Sequence, residues 1–164
     1  MDKVRIINDP ILRAKARPVM ADDPTLHDLI KRMIEVMKAE NGVGLAANQI
    51  GDDRAVFVTD LDGVVKEWIN PEMICIGHDI PFEEGCLSVP GAQSHTVRNS
   101  QIKISYTDLA GIQYTEILEG LIAVVCQHEY DHLNGKLYVD QLSSLKRSMV
   151  LSKHAKFMKF RGGI

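Results

Sequence analysis

Two features of the chain predict an α+β fold. Strand-like runs fill the stretch from Ala55 to Leu118, and an apolar helical segment with no polar face follows at Gly120–Cys126. Strands first and a buried helix later is the order expected of that class. At 164 residues the chain fits one domain and is long enough to bury about two-thirds of its unfolded surface.

The elements follow in order. Ile6 to Val19 carries Pro10 and Pro18 and reads as an extended arm with a short helical piece. Asp23-Pro24 opens a helix, with a capping acid and then proline in the first turn. Leu26, Leu29, Ile30, Met33, Ile34 and Met37 recur at three-and-four spacing, the stripe of a helix facing a core, and Asn41-Gly42 stops it. Strands are expected at Ala55–Thr59, Val64–Ile69, Met73–Ile76, Ile102–Tyr106 and Ile112–Leu118, the last two as a hairpin around Asp108-Leu-Ala-Gly111. Gly77 to Arg98, rich in Gly, Pro and polar residues, is either a surface loop or part of a site. Gly120–Cys126 is apolar on every side, as a buried helix is, and Asn134-Gly135 ends it. Ser143 or Ser144 caps a last helix reaching Gly162-Gly163. The division expected is a domain over 1–142 and a basic helical tail over 143–164.

Composition excludes several classes. The apolar (45%) and charged (25%) fractions are those of an ordinary globular protein, and a net charge of −3 gives no general nucleic-acid or membrane signature. The N-terminal residues lack the apolar core of a signal peptide, and no apolar run approaches the roughly 18 residues of a membrane span. Three cysteines without a framework spacing argue for a reducing compartment, so a cytoplasmic location is expected. All 22 acidic residues precede Gln141, whereas six of the 19 Lys and Arg follow it. An acidic body therefore carries a basic tail.

Residues 126–135, CQHEYDHLNG, hold the clearest chemical signal. Histidines four apart on a helix share a face, so His128 and His132 can converge on one metal ion. Glu129 is turned away from that face and can serve as a general base without being a ligand. A catalytic metal site needs a third protein ligand and an open position. No glutamate follows Gly135, so the downstream ligand of many HExxH peptidases is missing. Upstream stand His78, His95, Cys75, Cys86 and several acids. Cys86 lies in EEGCLSVP, where Gly85 and Pro90 shape an irregular backbone; its local sequence fits a thiolate ligand and a small buried hydrophobe equally. Cys126 and Cys75 read as structural.

Three segments then resemble the signature motifs of the peptide deformylases, in order: GVGLAANQ at 42–49, EGCLS at 84–88 and QHEYDHLNG at 127–135. The arm IINDPILR at 6–13 also resembles that family, in its bacterial class with a C-terminal helix. The resemblance implies mixed, mostly antiparallel sheets around a central helix bearing the HExxH motif. It implies that Cys86, His128 and His132 hold one divalent metal, ferrous iron physiologically, with zinc or nickel able to replace it. It implies removal of the formyl group from N-formylmethionyl nascent chains: hydroxide generated at the metal attacks the formyl carbon, and Glu129 acts as general base and then acid. By the same resemblance Gln49 and the Leu87 N–H stabilise the oxyanion, and Val43, Phe82, Leu121, Val124 and Val125 line the methionine pocket. Gly44 and Gly85 permit close approach of the peptide. Glu84 is a candidate acceptor for a ligand histidine N–H, with Asp131 and Arg98 as a supporting ion pair. Gln93 stands where relatives often carry an arginine facing the peptide, which bears on substrate affinity and sequence preference. The basic tail is either a solvated helix face or a ribosome-docking surface, and a monomer is expected. The competing functions are an HExxH peptidase cutting internal bonds and a non-catalytic metal- or peptide-binding module.

Overall fold

The computed structural model describes residues 2–162. Helix α1 spans Leu26–Ala39. Its cap is Thr25 rather than Asp23. The Asp23 carboxylate instead accepts from the Thr25 N–H (2.9 Å) and hydroxyl (2.7 Å), an Asx turn that places the chain one residue ahead of the helix. Leu29, Ile30, Met33, Val36 and Met37 are buried, as the stripe requires. The helix stops at Glu40, where Asn41 takes φ +54°, a left-handed step that asparagine tolerates.

Strands β1 (Gly44–Ala46), β2 (Val56–Leu61), β3 (Val64–Cys75), β6 (Gln101–Thr107) and β7 (Gln113–Glu119) form a five-stranded sheet in the order β1-β2-β3-β6-β7. All its named pairings are antiparallel, and an isolated parallel bridge joins Arg17 to Arg54. Two separate runs were expected between Val64 and Ile76; the structure has one long strand with a register shift between Ile69 and Glu72. The break holds Asn70-Pro71, and proline is tolerated in a strand where a bulge removes the need for its N–H. Asn70 fastens the bulge to the N-terminal arm: its side chain accepts from Val19 N–H (2.7 Å) and donates to Val19 C=O (2.9 Å).

Alternation along β2 sends Val56 and Val58 to one face and Phe57 to the other. The first face packs on α1; the second, with Trp68, Ile102, Ile104 and Tyr106, packs on helix α2 (Leu121–Leu133) through Ala123, Cys126 and Leu133.

The stretch from Gly77 to Arg98 is mostly neither loop nor irregular. Strands β4 (Asp79–Gly85) and β5 (Gln93–Asn99) pair as a second, two-stranded sheet, and the connection between them, 86–92, carries Cys86 and Leu87. Its inward residues are polar: Glu84, Thr96 and Arg98 are buried while hydrophobic Val97 is exposed. A period-two signal based on apolar residues is therefore absent here. Gln127 of α2 joins this sheet, accepting from Asn99 N–H and donating to Asn99 C=O, both at 2.8 Å. Helix α2 thus lies between the two sheets. Helix α3 (Ser144–Arg161) begins where Ser143 Oγ accepts from Lys146 N–H (3.3 Å). It buries only Val150 and His154. Among the described residues no helix is long and apolar enough to cross a membrane.

Candidate metal centre and active site

The buried end of α2 meets the 86–92 connection. Cys86 Sγ lies 3.3 Å from His132 Nε2, and His132 Nε2 lies 3.2 Å from His128 Nε2. The ligand atoms of the three residues all fall within 4.8 Å of one another. Two nitrogens each about 2.0–2.1 Å from one tetrahedral ion are about 3.3 Å apart, so the spacing fits a metal ion. Two imidazole nitrogens facing each other at this distance, with the Cys86 sulfur beside them, form a donor set that a cation satisfies. The other candidates fall elsewhere: His78, His95 and Cys75 are exposed, and Cys126 is buried in the core beside the large sheet.

Partners around this trio fix its orientation. Cys86 Sγ faces the Ser88 N–H (3.4 Å) and the Gln49 amide nitrogen (3.6 Å). Gln49 sits in a single-turn 3-10 helix (Ala47–Ile50) directly after β1. Its Oε1 accepts from Ala46 N–H (2.9 Å), which turns Nε2 toward Ser88 Oγ (3.1 Å) and the cysteine. The Leu87 N–H next to the cysteine has no acceptor among the described residues. Glu84 Oε2 lies 3.6 Å from His128 Nδ1. The same carboxylate receives a two-pronged bond from Arg98 (Nε 3.1 Å, Nη2 2.7 Å), while Arg98 Nη1 reaches Asp131 at 2.7 Å. Arg98 and Glu84 side chains are only 4% and 5% exposed, so this pair is an internal strut and not surface charge. Burial alone would raise the Glu84 carboxyl, but hydrogen bonds from His128 and Arg98 outweigh it and hold the group at about 2. Burial alone would likewise depress His128; Cys86 and Glu84 override it and hold the ring well above its usual value. Burial, and then the neighbouring His128, push His132 well below.

Glu129 is 3% exposed, and its Oε2 has no partner among the described residues. Burial pushes its carboxyl up to about 7. The Gly44 backbone lies directly against it: a Cβ on Gly44 would stand 2.5 Å from Glu129 Oε1. A cavity of about 420 Å³ opens over this group. Gln49, Glu84, Cys86, Leu87, His128 and Glu129 line it, as do Val43, Gly44, Phe82, Gly85, Leu121, Val124 and Val125. Val124 and Val125 are buried at its base; Val43 and Leu121, about half exposed, form the rim. His132, Arg98 and Asp131 stand behind this wall. Gln93 also lines the cavity.

Two residues carry contacts that the sequence did not assign to them. Asn48, buried, donates from Nδ2 to the His132 carbonyl (2.7 Å) and ties the 3-10 turn to the end of α2. His154 of α3 donates from Nδ1 to the Pro90 carbonyl (2.9 Å). Asn48 lies in a motif, but nothing local shows what its amide meets; His154 read only as part of a basic tail.

A buried HExxH helix between antiparallel sheets, with a thiol and two imidazoles converging below a cavity, defines the α+β metallohydrolase class. The sequence model described as polypeptide deformylase matches residues 1–148. A peptide deformylase of Thermotoga petrophila is 42% identical over 154 residues, covering 93% of this chain and 94% of its own. The crystal structure of a Legionella pneumophila peptide deformylase superposes with a TM-score of 0.96 at 40% identity, covering 100% of this chain and 99% of that one. That of Synechococcus elongatus, in complex with actinonin, gives 0.90 at 33%, covering 94% and 88%. The chain belongs to the peptide deformylase family.

Proposed function

We propose that this enzyme removes the N-formyl group from the N-terminal formylmethionine of nascent polypeptides, releasing formate. The observation that carries the proposal is the buried carboxylate of Glu129, whose Oε2 has no partner among the described residues, together with three ligand atoms grouped within 4.8 Å. Cys86, His128 and His132 would hold one divalent metal, ferrous iron by family resemblance, with zinc or nickel as substitutes. A metal bound there supplies Lewis acidity that makes water a nucleophile near neutral pH.

The chain's own groups do the rest. Glu129, held near neutrality by burial, takes a proton from the attacking water and passes it to the amide nitrogen as the C–N bond breaks. The oxygen of that water becomes the second formate oxygen, and the methionine amine leaves free. Charge builds on the formyl oxygen. Gln49 and Leu87 both line the cavity, and the Gln49 amide nitrogen and the Leu87 N–H would donate to that oxygen, each worth about 3–4 kcal/mol of barrier. Val43, Phe82, Leu121, Val124 and Val125 take the methionine side chain, whose flexible thioether suits an apolar slot of mixed shape. Gly44 and Gly85 present backbone to the cavity, while a Cβ at Gly44 would meet Glu129 and one at Gly85 would meet Gln93. Glu84, 3.6 Å from His128 Nδ1, favours a proton on that nitrogen and so leaves Nε2 for the metal, and Arg98 with Asp131 keeps Glu84 ionised and in place. Soluble formylated chains in the cytoplasm are the expected substrates, with the enzyme acting as a monomer and α3 offering basic residues to the ribosome.

Formate release from formyl-Met-Ala-Ser, measured beside the unformylated and amino-blocked peptides, tests the reaction. Release from the first alone is expected, and cleavage of internal amide bonds would instead indicate a peptidase. Glu129→Gln should keep the metal and lower turnover by about 10²–10⁴.

A further inference from the structure

The cavity over Glu129 does not end at the hairpin. A second concavity of about 380 Å³ is lined by Glu83, Gly91, Ala92, Gln93 and Lys153. The first four of these also line the main cavity, so the two are one trough, and Lys153 of helix α3 stands at its outer end. That helix is held in place. His154, buried, donates to the Pro90 carbonyl at 2.9 Å. Phe157 lies against Gly91, whose φ of +82° and missing Cβ allow the approach. Lys153 precedes the anchor His154 and lies one helical turn before Phe157, so its stem is fixed at the trough's outer end. Lys153 also lies beyond the residues the family model matches.

We propose that Lys153 is a specificity-determining residue for the peptide downstream of the formylmethionine, favouring an acidic side chain at the third or fourth residue. The inference rests on the deformylase reading: with the formyl group at Glu129 and the methionine at Val124 and Val125, the rest of the chain runs outward along the trough to α3. Glu83 and Lys153 line the same concavity. Reversing Lys153 therefore turns a trough with both signs into a uniformly acidic one.

The test uses the metal-loaded full chain and formyl-Met peptides carrying Asp or Lys at the third or fourth residue. An exposed charge pair is worth about two- to fivefold. Because reversal turns attraction into repulsion for one peptide and the opposite for the other, the pair factor enters four times and the Asp-to-Lys ratio of kcat/KM should fall by at least about tenfold in Lys153→Glu. The change should lie in KM, and Lys153→Met should fall between. Lys146→Glu, on the same helix but outside the trough, carries the same change in net charge and should leave the ratio unchanged. The shift should shrink as salt rises. No change in the ratio at either position overturns the inference, and so does an equal change in Lys146→Glu, which would make it a general field effect. Absence of formate release from every peptide would instead defeat the deformylase reading.

Discussion

Gly44→Ala isolates the placement of the proposed base from its chemistry. Gly44 is buried in β1 without a positive φ, so alanine is allowed by the backbone. Its Cβ would stand 2.5 Å from Glu129 Oε1 and 3.0 Å from Cγ and Cδ, where ordinary contact begins at 3.4 Å. All three atoms belong to one side chain that can yield, so the fold should tolerate the change while the carboxylate retreats by about 1 Å. A displacement of that size can cost about 10²-fold in rate, equivalent to about 2.7 kcal/mol of barrier. The assay is kcat/KM for formate release, with bound metal and thermal midpoint measured on the same preparations. Activity should fall about 10²-fold with metal content intact. Against a Glu129→Ala background the same substitution should cost almost nothing, because the group it displaces is gone. An equal loss in both backgrounds, or activity within threefold of the parent, would refute the reasoning.

Arg98→Met should destabilise the metal-free protein by about 3–5 kcal/mol in urea unfolding, because it strands the buried Glu84 charge; adding Glu84→Gln should recover much of that loss. Cys86→Ser should leave substoichiometric metal and little turnover, whereas Cys75→Ser should retain both, as elemental analysis of anaerobically purified protein would show. Hydrogen bonds from Thr25 and then Arg54 hold the Asp23 carboxyl at about 2, down from 3.8. Between those values the unfolded chain binds more protons, so this contribution is complete above about pH 4 and is lost as pH falls toward 2. Asp23→Asn should flatten that part of the curve of urea midpoint against pH.

Much of the architecture was legible because its signals are local. The α1 stripe, the β6–β7 hairpin around Asp108 to Gly111, and the Ser143 cap follow from periodicity and turn chemistry that short segments carry within themselves. The β4–β5 hairpin was not legible. Its inward face is Glu84, Thr96 and Arg98, and a strand that buries polar groups lacks the apolar alternation that marks others. The continuity of β3 through Pro71 was equally hidden, since only the partner strand reveals that a bulge absorbs the proline.

The chemistry divides in the same way. His128, Glu129 and His132 are bound to one helix, so their spacing in sequence already sets their spacing in space. The motif resemblance named Cys86 as the third ligand; its place beside His132, 46 positions further on, depends on a tertiary turn. The packing of Gly44 on Glu129, the anchoring of the 3-10 turn by Asn48 and the anchoring of α3 at Pro90 likewise join segments from 64 to 85 residues apart. The sequence by itself determined which residue types were present and which lay on a common helical face. Only the tertiary structure decided which buried groups meet, because contacts between distant segments are selected by the packing of the whole core and leave no period in the chain.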